Sequence, residues 1–213
     1  MPRRVALLAV AALAGAAHAG TILTTGTYST EMVGMSLTGS SPIGPISITE
    51  SATHESNGVT EIEDDSGTYH IDSFFDVWTE LSFNGSPGVE VHGLMQLDDD
   101  GVFPASGFDW TPGPGQEPIP PVGGTYYGHS PSFYMTFAWH QVTSQTSITL
   151  LPDGLTLEEI FDSLLTYGLD FDGDHQTDWI GTASGPTTVH VTIPAPGAAA
   201  ILIGGLAIAR RRR

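Results

Sequence analysis

Phe75-Asp-Val77-Trp-Thr79-Glu-Leu81-Ser-Phe83 and Val89-Glu-Val91-His-Gly93-Leu-Met95-Gln-Leu97 decide the fold. In both, apolar residues recur at every second position, so each segment presents one apolar and one polar face when extended. Asn84-Gly85-Ser86-Pro87-Gly88 between them supplies turn residues, and the whole reads as a β-hairpin with a four- to five-residue loop.

The same period runs through Phe133–His140 and Thr187–Ile193. Shorter candidate strands are Ile22–Tyr28, Glu31–Thr38, Pro45–Ser51, Val59–Glu63, Thr68–Asp72 and Ser147–Leu151, separated by turn signals such as Asn57-Gly58, Ser66-Gly67 and Pro152-Asp153-Gly154. Alternation argues against a parallel sheet, whose strands are continuously apolar. The expected class is mainly β, an antiparallel β-sandwich.

One segment departs from the rhythm. Thr156 and Glu159 have capping-box spacing. Leu157, Ile160, Phe161, Leu164 and Leu165 follow a helical stripe, and Gly168 is placed to end it. This predicts one helix over about 156–167. On phase, Phe137 and Trp139 are expected in the core. His92, His140 and His190 are expected on the solvent side, and Phe74 and Trp78 are exposed or covered by a loop. Residues 98–131 form a long stretch without periodicity, rich in Pro, Gly and aromatics, expected to drape over the domain.

Charge narrows the function. The chain has 213 residues, 24 Asp and Glu, no Cys, and 6 basic residues: Arg3, Arg4 and Arg210 to Arg213. No Lys or Arg lies between Val5 and Ala209. A nucleic-acid binder needs cations to displace phosphate counterions, so that class is excluded. A P-loop lysine or arginine clamp is excluded too. Without Cys there is no disulfide, thiolate zinc site or thiol nucleophile.

The ends read as addresses. Arg3-Arg4, the apolar run Val5–Ala17 and Ala17-His18-Ala19 have the layout of a secretory signal peptide, residues 1–19, cleaved between Ala19 and Gly20 by signal peptidase. At the other end, Pro194-Ala195-Pro196 precedes a short apolar run, Gly197–Ala209, and four arginines. Both runs are short for a bilayer span, which takes about 20 residues. The arginines stay on the cytoplasmic side. This tail, 194–213, resembles the PEP-CTERM sorting signal of exported bacterial proteins, with Ala195 where that family's motif has glutamate. The resemblance implies export to the bacterial surface or extracellular matrix, transient inner-membrane association, and removal of the tail by an exosortase-type enzyme. The alternative is a permanent C-terminal anchor. Residues 20–193 remain as one domain, large enough for a single core.

One constellation carries chemistry. Asp170-Phe-Asp172-Gly-Asp174-His-Gln176-Thr-Asp178 places aspartates at positions 1, 3, 5 and 9 of a loop, with Gln176 at the position that offers a backbone carbonyl. Four carboxylates without a nearby cation repel unless a metal neutralises them. The segment resembles the DxDxD calcium loops of dockerin-type, FG-GAP and VCBS repeats, which implies calcium. His175 stands where such loops usually have Gly, and Gly181 where an EF-hand has its bidentate Glu, so the expected affinity is modest, about 10⁻⁴ to 10⁻³ M. The alternative is an acidic surface turn. Asp98-Asp99-Asp100 and Glu63-Asp64-Asp65 are expected to be solvated hairpin tips.

No HExxH or G-x-S-x-G motif is present. Three functions stay open. The first is a non-catalytic surface or matrix protein stabilised by calcium. The second is a carbohydrate-binding module using Trp78, Trp110, Tyr126 and Tyr127 on extracellular polysaccharide. The third is a polysaccharide hydrolase with two unplaced carboxylates.

Overall fold

Phe75, Val77, Thr79 and Leu81 are buried along one side of strand β4 (Thr68–Phe83), which pairs antiparallel with β5 (Val89–Leu97). The sheet built outward from this hairpin is seen in a computed structural model describing residues 23, 25–102, 104–113, 115–129 and 134–194. The signal-peptide residues Ala19 and Gly20, and Ala195 and Pro196 of the tail motif, lie outside the described residues. Pro194 is the last one inside and is exposed.

The other strands are β1 (Gly26–Ser41), β2 (Gly44–Glu50), β3 (Ser56–Asp65), β6 (Phe108–Trp110), β7 (Thr125–His129), β8 (Met135–Leu150), β9 (Thr156–Leu169) and β10 (Trp179–Thr192). Hydrogen-bonded neighbours run β10-β9-β8-β7-β5-β4-β2-β1, and β1 pairs again with β10. The path therefore closes on itself, which removes the unpaired edges an open sheet exposes. Between β1 and β4, β2 fills one half of the gap and β3 the other. All these strand pairs are antiparallel, as expected for a mainly β, sandwich-like fold.

The expected helix is not there. Residues 156–169 form β9, paired along its length with β10 and β8. Leu157, Glu159, Phe161, Ser163, Leu165, Tyr167 and Leu169 all point into the core. Two polar residues at inward positions broke the apparent period of two. Both find partners: Gln145 Nε2 donates to Glu159 Oε2 at 2.6 Å, and the Ser163 and Thr187 hydroxyls bond at 2.9 Å. Ser163 is satisfied in this way, whereas Glu159 Oε1 is buried with no hydrogen-bond partner among the described residues, and burial holds the Glu159 pKa well above the ordinary carboxylate value.

A second correction concerns β8. Its register shifts between Met135 and Phe137, and this bulge reverses the inward–outward phase of the residues beyond it. Ala138, His140 and Val142 are buried, whereas Trp139 is 43% exposed. A similar shift in β1 between Met32 and Gly34 lets Met32 and Met35, which are of opposite parity, both face inward.

The long segment 98–131 is not only draped. It contributes β6 and β7, and Trp110, Ile119 and Tyr126 join the core. Its buried Glu117 accepts the Leu23 N–H at 3.2 Å, while the Glu117 N–H donates to Gln145 Oε1.

Candidate metal centre

The β9–β10 hairpin ends at the pair Leu169 and Trp179, and residues 170–178 form its loop. Both ends are fastened by backbone: Asp170 N–H donates to Tyr134 O at 3.1 Å and Asp178 N–H to Leu169 O at 2.8 Å. The Thr136 and Thr177 hydroxyls, 2.6 Å apart, tie the loop to β8.

Inside, the chain winds around one carboxylate. Asp170 is buried, and its Oδ1 accepts the N–H groups of Asp172 and Gly173 at 3.2 and 2.6 Å. Its Oδ2 accepts the His175 N–H at 2.8 Å. Asp172 Oδ1 accepts from Asp174 N–H, and Asp174 Oδ1 from Gln176 N–H. Each is the turn in which an Asp side chain stands in for a backbone carbonyl. Burial works against the Asp170 carboxylate, but the three N–H donors outweigh it and hold its pKa below the usual carboxylate value.

One side-chain oxygen each from Asp170, Asp172 and Asp174 lies within 4.8 Å of the other two. Hard oxygen donors at that separation could hold a metal ion. The structure therefore brings together three of the four expected aspartates. Asp178 is turned to cap the loop, its Oδ2 accepting the Phe171 N–H at 2.7 Å. Gln176 engages the loop through its own N–H. Asp178 is not in the carboxylate cluster, and the Gln176 contribution expected is its backbone carbonyl, which is not a side-chain ligand.

Asp98, Asp99 and Asp100 form a second such group. The expectation of a solvated tip fails for Asp98, which is 1% exposed. Its Oδ1 accepts from the Ser106 hydroxyl and the Asp100 N–H, while Oδ2 is buried with no hydrogen-bond partner among the described residues. The Asp100 carboxyl, donating to the ionised Asp98, is held above its ordinary pKa.

The four aromatics expected to form a sugar platform do not share a face. Trp110 and Tyr126 are core residues, and burial pushes the Tyr126 hydroxyl pKa upward. Trp78 has both faces covered, stacked between His54 at 4.3 Å and His92 at 4.0 Å between ring centroids. His54 bonds Glu90 at 2.7 Å, and His92 bonds Asp76. Tyr127 meets other outward aromatics: Trp139 lies 5.8 Å from it and 5.0 Å from Phe137. Sequence phase hid this group, because the bulge in β8 lies between Met135 and Phe137.

No protein-family model matches the chain, and neither a curated protein nor a solved structure proves similar to it.

Proposed function

We propose that the chain is an exported, non-catalytic bacterial surface or matrix protein, sorted through residues 194–213 and stabilised by calcium at Asp170, Asp172 and Asp174. The observation that carries the reading is the segregation of charge. All six basic residues sit in two terminal segments beside apolar runs, and the all-β domain between them holds only acids. Arginines flanking a short apolar run are what export and membrane-sorting machineries read. The carboxylate cluster at one hairpin tip supports the calcium assignment. Signal peptidase and an exosortase-type enzyme are the partners this implies.

The test has two arms. In a bacterium with a sorting-tail system, the full chain is expected in the envelope fraction, and a variant lacking 197–213 in the medium. Equal distribution of the two overturns the sorting assignment. Calcium is expected to raise the melting temperature of the full chain, and Asp172→Asn to reduce the gain. A melting temperature indifferent to calcium overturns the metal assignment.

A carbohydrate-binding role is favoured by one observation, the outward group of Tyr127, Phe137 and Trp139. Aromatic faces stack on sugar rings, and with no Lys or Arg in the domain the polymer would be neutral or cationic. Retardation in gels containing neutral polysaccharides, lost in Trp139→Ala, tests it.

A further inference from the structure

Every methionine after the first residue, Met32, Met35, Met95 and Met135, lines one cavity of about 40 Å³ inside the closed sheet. They come from three separate strands, β1, β5 and β8. Two of the four reach the interior at bulges, Met35 past the shift in β1 and Met135 at the shift in β8. Bulges re-aim side chains, and here both bring a methionine to the wall of one cavity. Gly93 and Gly128 line the same wall, and a Cβ at Gly128 would stand 3.3 Å from Met95 Cγ.

His140 faces this cavity and a smaller one of about 10 Å³ beside it, whose walls share Met32 and Met95. It is 5% exposed, and its Nε2 has no hydrogen-bond partner among the described residues. A buried polar atom without a partner is costly and calls for an explanation. Burial also keeps the imidazole neutral down to a pH of about 4, which is the state in which a ring nitrogen offers a lone pair.

We propose that the four thioethers and His140 Nε2 form an interior site for a soft monovalent metal ion, Cu(I). The donor set decides the metal. Thioether sulfur is a soft ligand that selects Cu(I) over the hard divalent cations taken by carboxylates. The available donors, of which Cu(I) takes at most four, are all neutral, so the bound site carries a single positive charge, and the acids around the domain offset it. The cavity is smaller than those that hold an aromatic guest, and its largely apolar wall offers a water few polar partners. Methionine also serves simply to fill gaps in cores, and the experiment separates that role from ligation.

The full chain is titrated anaerobically into Cu(I) held by bicinchoninate, whose colour reports transfer. One copper per chain is expected to move to the protein. In Met35→Leu/Met95→Leu, which conserves core volume, affinity is expected to fall about 100-fold, in proportion to the two thioethers removed. A His54→Ala/His92→Ala variant, lacking two surface imidazoles, is expected to bind as the parent does. X-ray absorption of the loaded parent is expected to show sulfur and nitrogen scatterers at copper. No transfer, transfer unchanged by the methionine substitutions, transfer lost in the surface-histidine variant, or a copper shell without sulfur each overturns the proposal.

Discussion

Asp170 Oδ2 accepts the backbone N–H of His175 at 2.8 Å, and His175 adopts φ +65° to deliver it. Left-handed backbone costs an L-residue about 1–2 kcal/mol, less for His than for branched residues. The acidic loop therefore holds an unfavourable conformation in order to surround one carboxylate.

His175→Val is accordingly expected to destabilise the domain by about 1–2 kcal/mol, since a β-branched residue is a genuine outlier at positive φ. His175→Gly is expected to be near neutral, with relief of strain set against greater freedom in the unfolded chain. Urea melts of both variants without calcium check this. Equal stability of Val and Gly would contradict the geometry.

Glu50 is expected to make the protein more stable in mild acid. Burial pushes its pKa up to about 7, the Ser56 hydroxyl opposes this, and Glu31 adds to it. A raised folded-state pKa means the contribution is full below about 4.5 and is lost as pH rises to about 7. Glu50→Gln is expected to match the parent at pH 4 and exceed it at pH 8. The gain should be about 1 kcal/mol, because solvent screening at this partly exposed group reduces the effect. Urea midpoints at the two pH values test the sign.

His140 acts in the opposite direction. Burial lowers its pKa from 6.5 to about 4, so between those values the unfolded chain binds a proton that the folded chain refuses. Stability therefore falls as pH drops through that window, by roughly 3 kcal/mol in total. His140→Gln is expected to lose less stability than the parent between pH 7 and pH 4. The same loss in both would show that His140 does not titrate in this way.

Gly39 faces Ala183 across the β1–β10 seam. A Cβ there would stand 2.3 Å from the Thr182 carbonyl oxygen, so Gly39→Ala must displace backbone. A cost of about 1–3 kcal/mol is expected, as for overpacking elsewhere in close-packed interiors. A thermal melt unchanged by Gly39→Ala would mean that the seam is loose.

Period-two patterning revealed β4, β5 and β10, because their inward residues are mostly apolar: Phe75, Val77 and Leu81, then Val91 and Met95, then Val189 and Val191. It failed for β9 because Glu159 and Ser163 occupy inward positions, and their partners Gln145 and Thr187 come from other strands. Nothing local in the sequence announces such pairing. It also failed past Met135, where one bulge exchanged the roles of Trp139 and His140. The clustering of carboxylates in the acidic loop was legible because Asp170, Asp172 and Asp174 lie close together in sequence. The methionine cavity was not, since Met32, Met95 and Met135 meet only once the sheet closes.

The β1–β10 seam has a mechanical consequence. Ser29 stands opposite Thr192, so the chain enters and leaves the domain at one pole. The turn at 170–178 lies at the other, some 14 residues back along β10, or about 45 Å of extended strand. Tethered to a membrane beyond Pro194, the domain would hold its acidic hairpin at the distal pole. Tension between that tip and the tether would run lengthwise along β10, which is hydrogen-bonded to β9 on one flank and β1 on the other. Load in that direction shears two ladders at once instead of unzipping one.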